Sequence, residues 1–274
     1  MPLRKAVYWS IFWIALSLVF NTVIYYTEGH QKALEFLTGY LIEKSLSVDN
    51  LFVFLIVFTM FGVELKDQRR VLNWGIIGAL ILRGILIILG AALIRQFNWI
   101  LYFFGVLLVY TGYQVIFGEE KKIHPEKNIA VIWFRKIMPV DNNYHGHKFF
   151  IKNGRKLIAT PLFVCLIVIE TMDVVFAIDS IPAIFAITTD SFIVLTSNLM
   201  AVLGLRSLYF VLAEVHSSFG YVKYGVGVVL AYVGIKMLIV DLYKIGILPS
   251  LFVVITILLV SVIFSISKKS NPSR

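Results

Sequence analysis

Five carboxylates lie deep inside two long apolar stretches of this chain. Glu43 and Asp49 belong to the stretch 33–58, near whose start Glu35 also stands, and Glu170, Asp173 and Asp179 to the stretch 157–182. Even on the mildest scale, an acidic residue at the centre of a bilayer costs about 2.5–3.5 kcal/mol. Five of them read as the inside of a site, and their negative charge makes it a site for a cation. Asn50, Ser180 and Asn198 add neutral oxygens nearby. The apolar stretches hold one cysteine, Cys165, and no histidine apart from His216 near the end of one of them. An oxygen-rich donor set suits Mn²⁺, Mg²⁺ or Ca²⁺, whereas thiolate and imidazole favour Cu(I) or Zn²⁺.

Spacing limits how these groups can cooperate. Glu43 and Asp49 are six residues apart, as are Asp173 and Asp179. On an unbroken helix, six steps leave two side chains about 120° apart and about 9 Å along the axis. A straight helix therefore does not aim both at one ion. Either the helix breaks or each carboxylate meets a partner from elsewhere. Glu170 and Asp173, three apart, share a face. Pro182 removes the N–H that would bond the carbonyl of Ile178, which predicts a kink beside Asp179. A competing reading assigns Arg83, Arg206, Lys44 and Lys236 to neutralising the carboxylates as buried ion pairs. Lys236 could instead reach the interface by snorkelling.

The elements that must position these groups are membrane helices. Hydrophobic residues make up 59% of the chain and charged residues 15%. A soluble domain is nearer roughly 50% and 25%. Segments of about 20 apolar residues fall at roughly 7–27, 33–61, 71–94, 98–117, 158–187, 191–213, 221–241 and 247–267, which predicts about eight transmembrane helices. The second and fifth are too long for one straight span and are expected to tilt, kink or break. The apolar run after Lys5 continues to Tyr26 with no small-residue cleavage site, so a retained span is expected rather than a signal peptide. The net charge of +9 does not call for nucleic acid. Eighteen Lys and Arg residues fall before the first segment, in 62–70, in 118–157, at Lys223 and after the last segment, against Lys32, Arg95 and Lys244 on the other side. That asymmetry places both termini in the cytoplasm.

The two halves of the chain match. Phe104–Gly112 aligns without gaps with Val226–Gly234, so Gly105-x6-Gly112 lies opposite Gly227-x6-Gly234. Leu82-Arg83-Gly84 aligns with Leu205-Arg206-Ser207, and Ser47-Val48-Asp49-Asn50 with Ala177-Ile178-Asp179-Ser180, which sets Glu43 opposite Asp173. Three helices per copy is an odd number, so the copies enter the membrane from opposite sides. Such inverted repeats frame midplane sites in transporters. The glycine pattern by itself also serves plain close packing. The expected organisation is an N-terminal helix (1–30), a first three-helix repeat (31–117), a cytoplasmic loop (118–157), a second repeat (158–243) and a C-terminal helix with its tail (244–274).

In the loop, Asn153-Gly154 between alternating residues predicts a small β-hairpin rather than a second domain. His145-Gly146-His147 invites a metal reading, but nothing adjacent completes a ligand set, and a solvated loop is the simpler expectation. Cys165, alone, makes no intramolecular disulfide and is expected to be a buried thiol. No nucleophile–base pair or cofactor motif accompanies the spans, so an enzyme is not expected.

The stretches Glu43-Lys-Ser-Leu-Ser-Val-Asp-Asn-Leu-Phe-Val-Phe, Trp74-Gly-Ile-Ile-Gly-Ala-Leu-Ile-Leu-Arg-Gly, Val175-Phe-Ala-Ile-Asp-Ser-Ile-Pro and Thr196-Ser-Asn-Leu-Met-Ala-Val-Leu-Gly-Leu-Arg resemble the TerC family of integral membrane proteins. The resemblance runs from about residue 30 to 265, and the Phe134–Pro139 insert and the hairpin look closest to its alkali-induced, Alx-like branch. It implies a bacterial inner-membrane protein grouped with the LysE exporter superfamily, with relatives in thylakoids and links to tellurite resistance and manganese efflux. It carries over Glu43, Asp49, Glu170, Asp173 and Asp179 as the acidic positions. Met172 stands where Thr or a similar residue is expected, which bears on local polarity.

The expectation is an all-α exporter of a divalent cation, with Mn²⁺ first and Ca²⁺ in a proton-coupled alternative. Its metal site would be Glu43, Asp49, Asn50, Glu170, Asp173 and Asp179, supported by Ser180, Asn198, Arg83 and Arg206. The cation is cargo rather than a catalytic cofactor. A membrane scaffold in a stress-resistance complex is the reading from another class, and the resemblance leaves room for membrane or secretion-machinery partners.

Overall fold

The computed structural model describes residues 3–97, 99–118, 128–141, 143–153, 156–215 and 222–269. Helices α1 (Leu3–Glu28), α2 (His30–Phe61), α3 (Leu65–Gln96) and α4 (Ile100–Phe117) come first. A short α5 (Ile129–Ile137) and the strands β1 (Phe150–Asn153) and β2 (Lys156–Ala159) follow. The chain then runs through α6 (Pro161–Phe185), α7 (Ser191–Leu203), α8 (Leu205–Val215), α9 (Val222–Leu238) and α10 (Ile247–Lys269). A helix runs through each of the eight apolar segments, with α7 and α8 together filling the sixth. Among the described residues, five helices are long and apolar enough to cross a membrane, or six if the bent pair α7–α8 counts as one span. α2 and the 17-residue α9 are not among them.

The break lies elsewhere than the sequence suggested. α2 and α6 each run as one helix, α6 continuing through Pro182. The discontinuity falls at Gly204, where α7 and α8 meet at 44°. A helix that stops at Leu203 leaves carbonyls in its last turn without intrahelical donors. Lys44 answers one of them: its Nζ donates to the Ala201 carbonyl at 3.1 Å. A cation there also complements the negative end of the α7 dipole. Lys44 thus caps α7, and among the described residues it forms no direct ion pair with a carboxylate.

Four helices surround the acidic stretches, and their packing is paired. α2 lies against α7 as α6 lies against α3, and α2 and α6 also touch each other. α4 and α9 make the closest helix pair, and glycine permits it. A Cβ on Gly105 would stand 3.0 Å from the Gly234 carbonyl oxygen, and one on Gly234 2.7 Å from that of Gly105. Gly112 and Gly227 meet in the same reciprocal way, at 2.6 and 3.0 Å. The pairing of first glycine with last is that of antiparallel helices. On the outer rim of α2, Lys32 bridges Glu28 and Asp190 at 2.8 and 3.0 Å, tying the start of α2 to the start of α7. Burial would raise the Asp190 carboxyl, but the Lys32 ammonium and the Phe192 N–H bring it below its ordinary range.

The insert is a hairpin as expected, with Phe150 paired to Ala159 and Asn153 to Lys156. Asn153 therefore closes the ladder instead of standing in the turn, and residues 154–155 lie outside the described residues. The preceding loop is pinned to the α2–α3 junction. Tyr144 donates to the Phe61 carbonyl, His147 bonds Asp67, and Arg70 stacks over the Phe149 ring at 5.0 Å. α5 was not anticipated. Its signals were Asn128 as an N-cap, whose side chain accepts from the N–H groups of Ala130 and Val131, and Pro139 just past its end.

Candidate functional site

Arg83 is the centre of the acidic region. It is fully buried, on α3, and its fork is filled from three helices. Nε and Nη2 donate to the two oxygens of Asp173 on α6, at 2.9 and 2.8 Å. Nη1 donates to Glu43 on α2 and, at 3.4 Å, to the Asn198 side-chain oxygen on α7. Asn198 closes the ring by donating its Nδ2 to the other oxygen of Glu43 at 3.0 Å. Glu43, Asp173 and Asn198 are all buried. Two carboxylates, one guanidinium and one amide leave a net charge of −1 in a nearly dry place. Coulomb attraction is strong there because little water screens it. The bidentate grip on Asp173 also fixes direction, since a planar guanidinium matches a carboxylate edge to edge.

Glu43 and Asp173, which the sequence alignment of the two halves sets opposite each other, flank one arginine in this ring. Arg206, aligned with Arg83 in the sequence, does not join them. It is exposed and donates to Asn73 on α3 at 2.6 Å. A small cleft lined by Leu51, Phe54, Gly75, Ile76, Asp173 and Arg206 lies between the two arginines' surroundings.

One helical turn before Asp173, Glu170 also faces α3. It presses on Gly78, where any Cβ would collide with its carboxyl, and its Oε2 is buried with no hydrogen-bond partner. Glu170 and Asp173 share a face, as their spacing required. Asp179 does not share it. Its Oδ1 accepts from the Thr111 hydroxyl on α4 at 3.0 Å. The angular argument therefore holds on α6: Asp173 points to α3 and Asp179 to α4. Asp49 is within α2, but its side chain lies outside the described residues.

Beyond the arginine ring, α2 and α6 bury more polar groups at helical spacing. Ser47 and Asn50 follow Glu43 at four and seven residues, and Ser180 follows Asp173 at seven. All three are buried, and Ser47 Oγ, Asn50 Nδ2 and Ser180 Oγ have no partner among the described residues. A buried polar atom with no partner forfeits its hydration, which makes it a candidate to meet a ligand or water. Among the described residues no three His, Cys, Asp or Glu side chains gather as a metal-binding group. Glu43 and Asp173 are committed to Arg83. The unpartnered oxygens nearby, among the described residues, are Ser47 Oγ, Ser180 Oγ and Glu170 Oε2. They suit a hard ion. Cys165 is fully buried in an apolar cluster with Val164, Val168 and Tyr209, as expected of a structural thiol. His145 bonds Asp141 at 2.8 Å and His147 bonds Asp67, and both rings are exposed.

The family model described as "Integral membrane protein TerC family" matches residues 28–273. The chain is 48% identical over 273 residues to "Putative membrane-bound redox modulator Alx" of Escherichia coli (strain K12), covering 97% of this chain and 85% of that protein. It is 46% identical over 274 residues to the protein of the same name from Photorhabdus laumondii, covering 97% and 86%. An "Uncharacterized membrane protein" of Rickettsia bellii is 42% identical over 274 residues, covering 100% and 91%. No solved structure matches the chain.

Proposed function

The chain belongs to the TerC family of integral membrane proteins, and from that premise we propose that it exports a divalent cation, Mn²⁺ first, through the acidic region between α2 and α6. The observation that carries this reading is the ring around Arg83. Equivalent carboxylates from two matching halves meet at one buried guanidinium. A bundle that needed stability alone would do as well with apolar side chains of similar volume there. Buried ionisable groups in membrane helices tend to mark ion paths.

In this reading the eight helical segments cross the bacterial inner membrane with both termini in the cytoplasm. Residues 31–117 and 158–243 are inverted repeats. The reciprocal glycine contacts of α4 and α9 support it, because exchanging the two halves turns the Gly105–Gly234 contact into the Gly227–Gly112 contact. So does the packing of α2 on α7 and of α6 on α3. The cation enters beside Asp49, Asn50, Asp179 and Ser180, where neutral oxygens replace part of its water. Glu43, Asp173 and Glu170 complete its shell when Arg83 withdraws. Arg83 holds the site when no cation is there, so cation and guanidinium compete for the same carboxylates. The break at Gly204, six residues beyond Asn198 and near the Ala201 carbonyl that Lys44 caps, gives α7 a place to hinge. Oxygen ligands favour Mn²⁺ or Ca²⁺ over Zn²⁺ and Cu(I).

A redox role like the one in the relatives' name would have to run through something other than thiols within this chain. Cys165 is its one cysteine and is fully buried. The deciding experiment is uptake into everted membrane vesicles. Mn²⁺ accumulation that depends on this protein supports the exporter. Accumulation of Ca²⁺ with no movement of Mn²⁺ selects the calcium alternative. If neither moves while the purified protein retains its fold, the scaffold reading replaces both.

A further inference from the structure

Neither the acidic region nor the helical bundle uses the outer face of α5. Its inner face is accounted for. Val131 is buried, and the Phe134 ring meets that of Phe163 on α6 at 5.2 Å. Opposite, Ile129, Ile132, Trp133, Lys136 and Ile137 are exposed. They are spaced i, i+3, i+4, i+7 and i+8, which on a helix is one continuous stripe. Trp133 is 64% exposed and Ile137 78%. Arg135 and Lys136 occupy the last turn, no acidic residue is present in the helix, and Lys136 Nζ lies 5.6 Å from the centre of the Trp133 ring. Three isoleucines and a tryptophan presented outward with two cations fit a membrane interface better than water.

The contact with Phe163 fixes the level of this face. Phe163 is the third residue of α6, a helix long and apolar enough to cross the membrane. At about 1.5 Å rise per residue, it lies within roughly one turn of the point where that helix begins. α5 is therefore held beside the first turn of α6, at the end of an apolar helix long enough to cross a membrane.

We propose that α5 is an interfacial helix lying in the headgroup layer of the cytoplasmic leaflet. Its isoleucines and Trp133 enter the acyl boundary, and Arg135 and Lys136 engage anionic lipid headgroups. The proposal rests on the cytoplasmic placement of residues 118–157 and is independent of what the protein transports.

The test uses the full chain with Ile137→Cys, labelled with an environment-sensitive fluorophore and placed in nanodiscs. Native Cys165 is fully buried, and the unlabelled wild type reports any background. Lys152→Cys on the exposed strand β1 is the reference for a water-facing site. In phosphatidylcholine mixed with phosphatidylglycerol, the Ile137 label should emit further to the blue than the Lys152 label. A nitroxide carried on the lipid headgroup should quench it about twofold more than in phosphatidylcholine alone. Adding Arg135→Glu and Lys136→Glu should bring quenching in the mixed discs down to the phosphatidylcholine level. Equal quenching in both lipids overturns the recognition of anionic headgroups. Quenching by aqueous iodide as strong as at Lys152, with no effect of the lipid nitroxide, overturns the interfacial placement altogether.

Discussion

Arg83 and Asp173 face each other with both oxygens of the carboxylate taken by one guanidinium, at 2.9 and 2.8 Å. The pair joins α3 to α6, and the remaining donor group of the arginine reaches Glu43 on α2. Removing the arginine leaves two buried carboxylates close together with no cation between them. Arg83→Gln should therefore lower stability by about 3–5 kcal/mol, the usual penalty for breaking a buried pair from one side. Arg83→Lys keeps the charge but cannot reproduce the fork and should be intermediate. Thermal unfolding in detergent micelles reads both. A melting temperature unchanged in Arg83→Gln would show that the ring is not a structural element.

Contact between α4 and α9 predicts a contrast between glycines. Gly112→Ala places a Cβ at 2.6 Å from the Gly227 carbonyl oxygen, so the helices must separate. Gly84→Ala on α3 meets nothing within 4 Å and gains helix propensity of about 1 kcal/mol. The first should lower the melting temperature and the second leave it level or raise it. The opposite order would mean that close α4–α9 packing does not support the fold.

Asp49 and Asp179 align between the two halves of the sequence, and the transport reading needs both charges. Asp49→Asn and Asp179→Asn keep side-chain shape but lose the attraction for a cation, so vesicle uptake of Mn²⁺ should vanish while membrane levels hold. Thr111→Val removes the hydroxyl that donates to Asp179 and should weaken uptake without abolishing it. Near-normal uptake in both aspartate variants would exclude a site shared between the repeats.

Orientation has its own check. A reporter fused at Lys244 should be outside the cell and one at Lys148 inside. Both on the same side would make the two halves parallel and remove the inverted-repeat account.

Much of this protein was legible in its residue order. Apolar length alone marks the helices, because a chain in a bilayer must satisfy its backbone internally. Six-residue spacing alone shows that Asp173 and Asp179 must face different neighbours, since helix geometry is nearly invariant. What spacing does not encode is which neighbour. That Asp173 meets Arg83 while Asp179 meets Thr111, and that Arg206 turns to Asn73 instead of mirroring its mate, depends on which helix lies alongside. Charge pattern did not separate Lys44 as a cap of α7 from Lys44 as a counter-ion, because the difference lies in a carbonyl 157 residues away. The break at Gly204 was hidden for a related reason. Proline has the stronger local signature and α6 runs through Pro182 regardless, whereas a single glycine within an apolar run is a weak signal, and the surroundings decide that the helix bends at Gly204. The sequence by itself determined the membrane setting, the helices and the acidic positions within them. Their pairing was decided by tertiary packing, because an ion pair is a property of distance between chains of atoms that the order of residues does not contain.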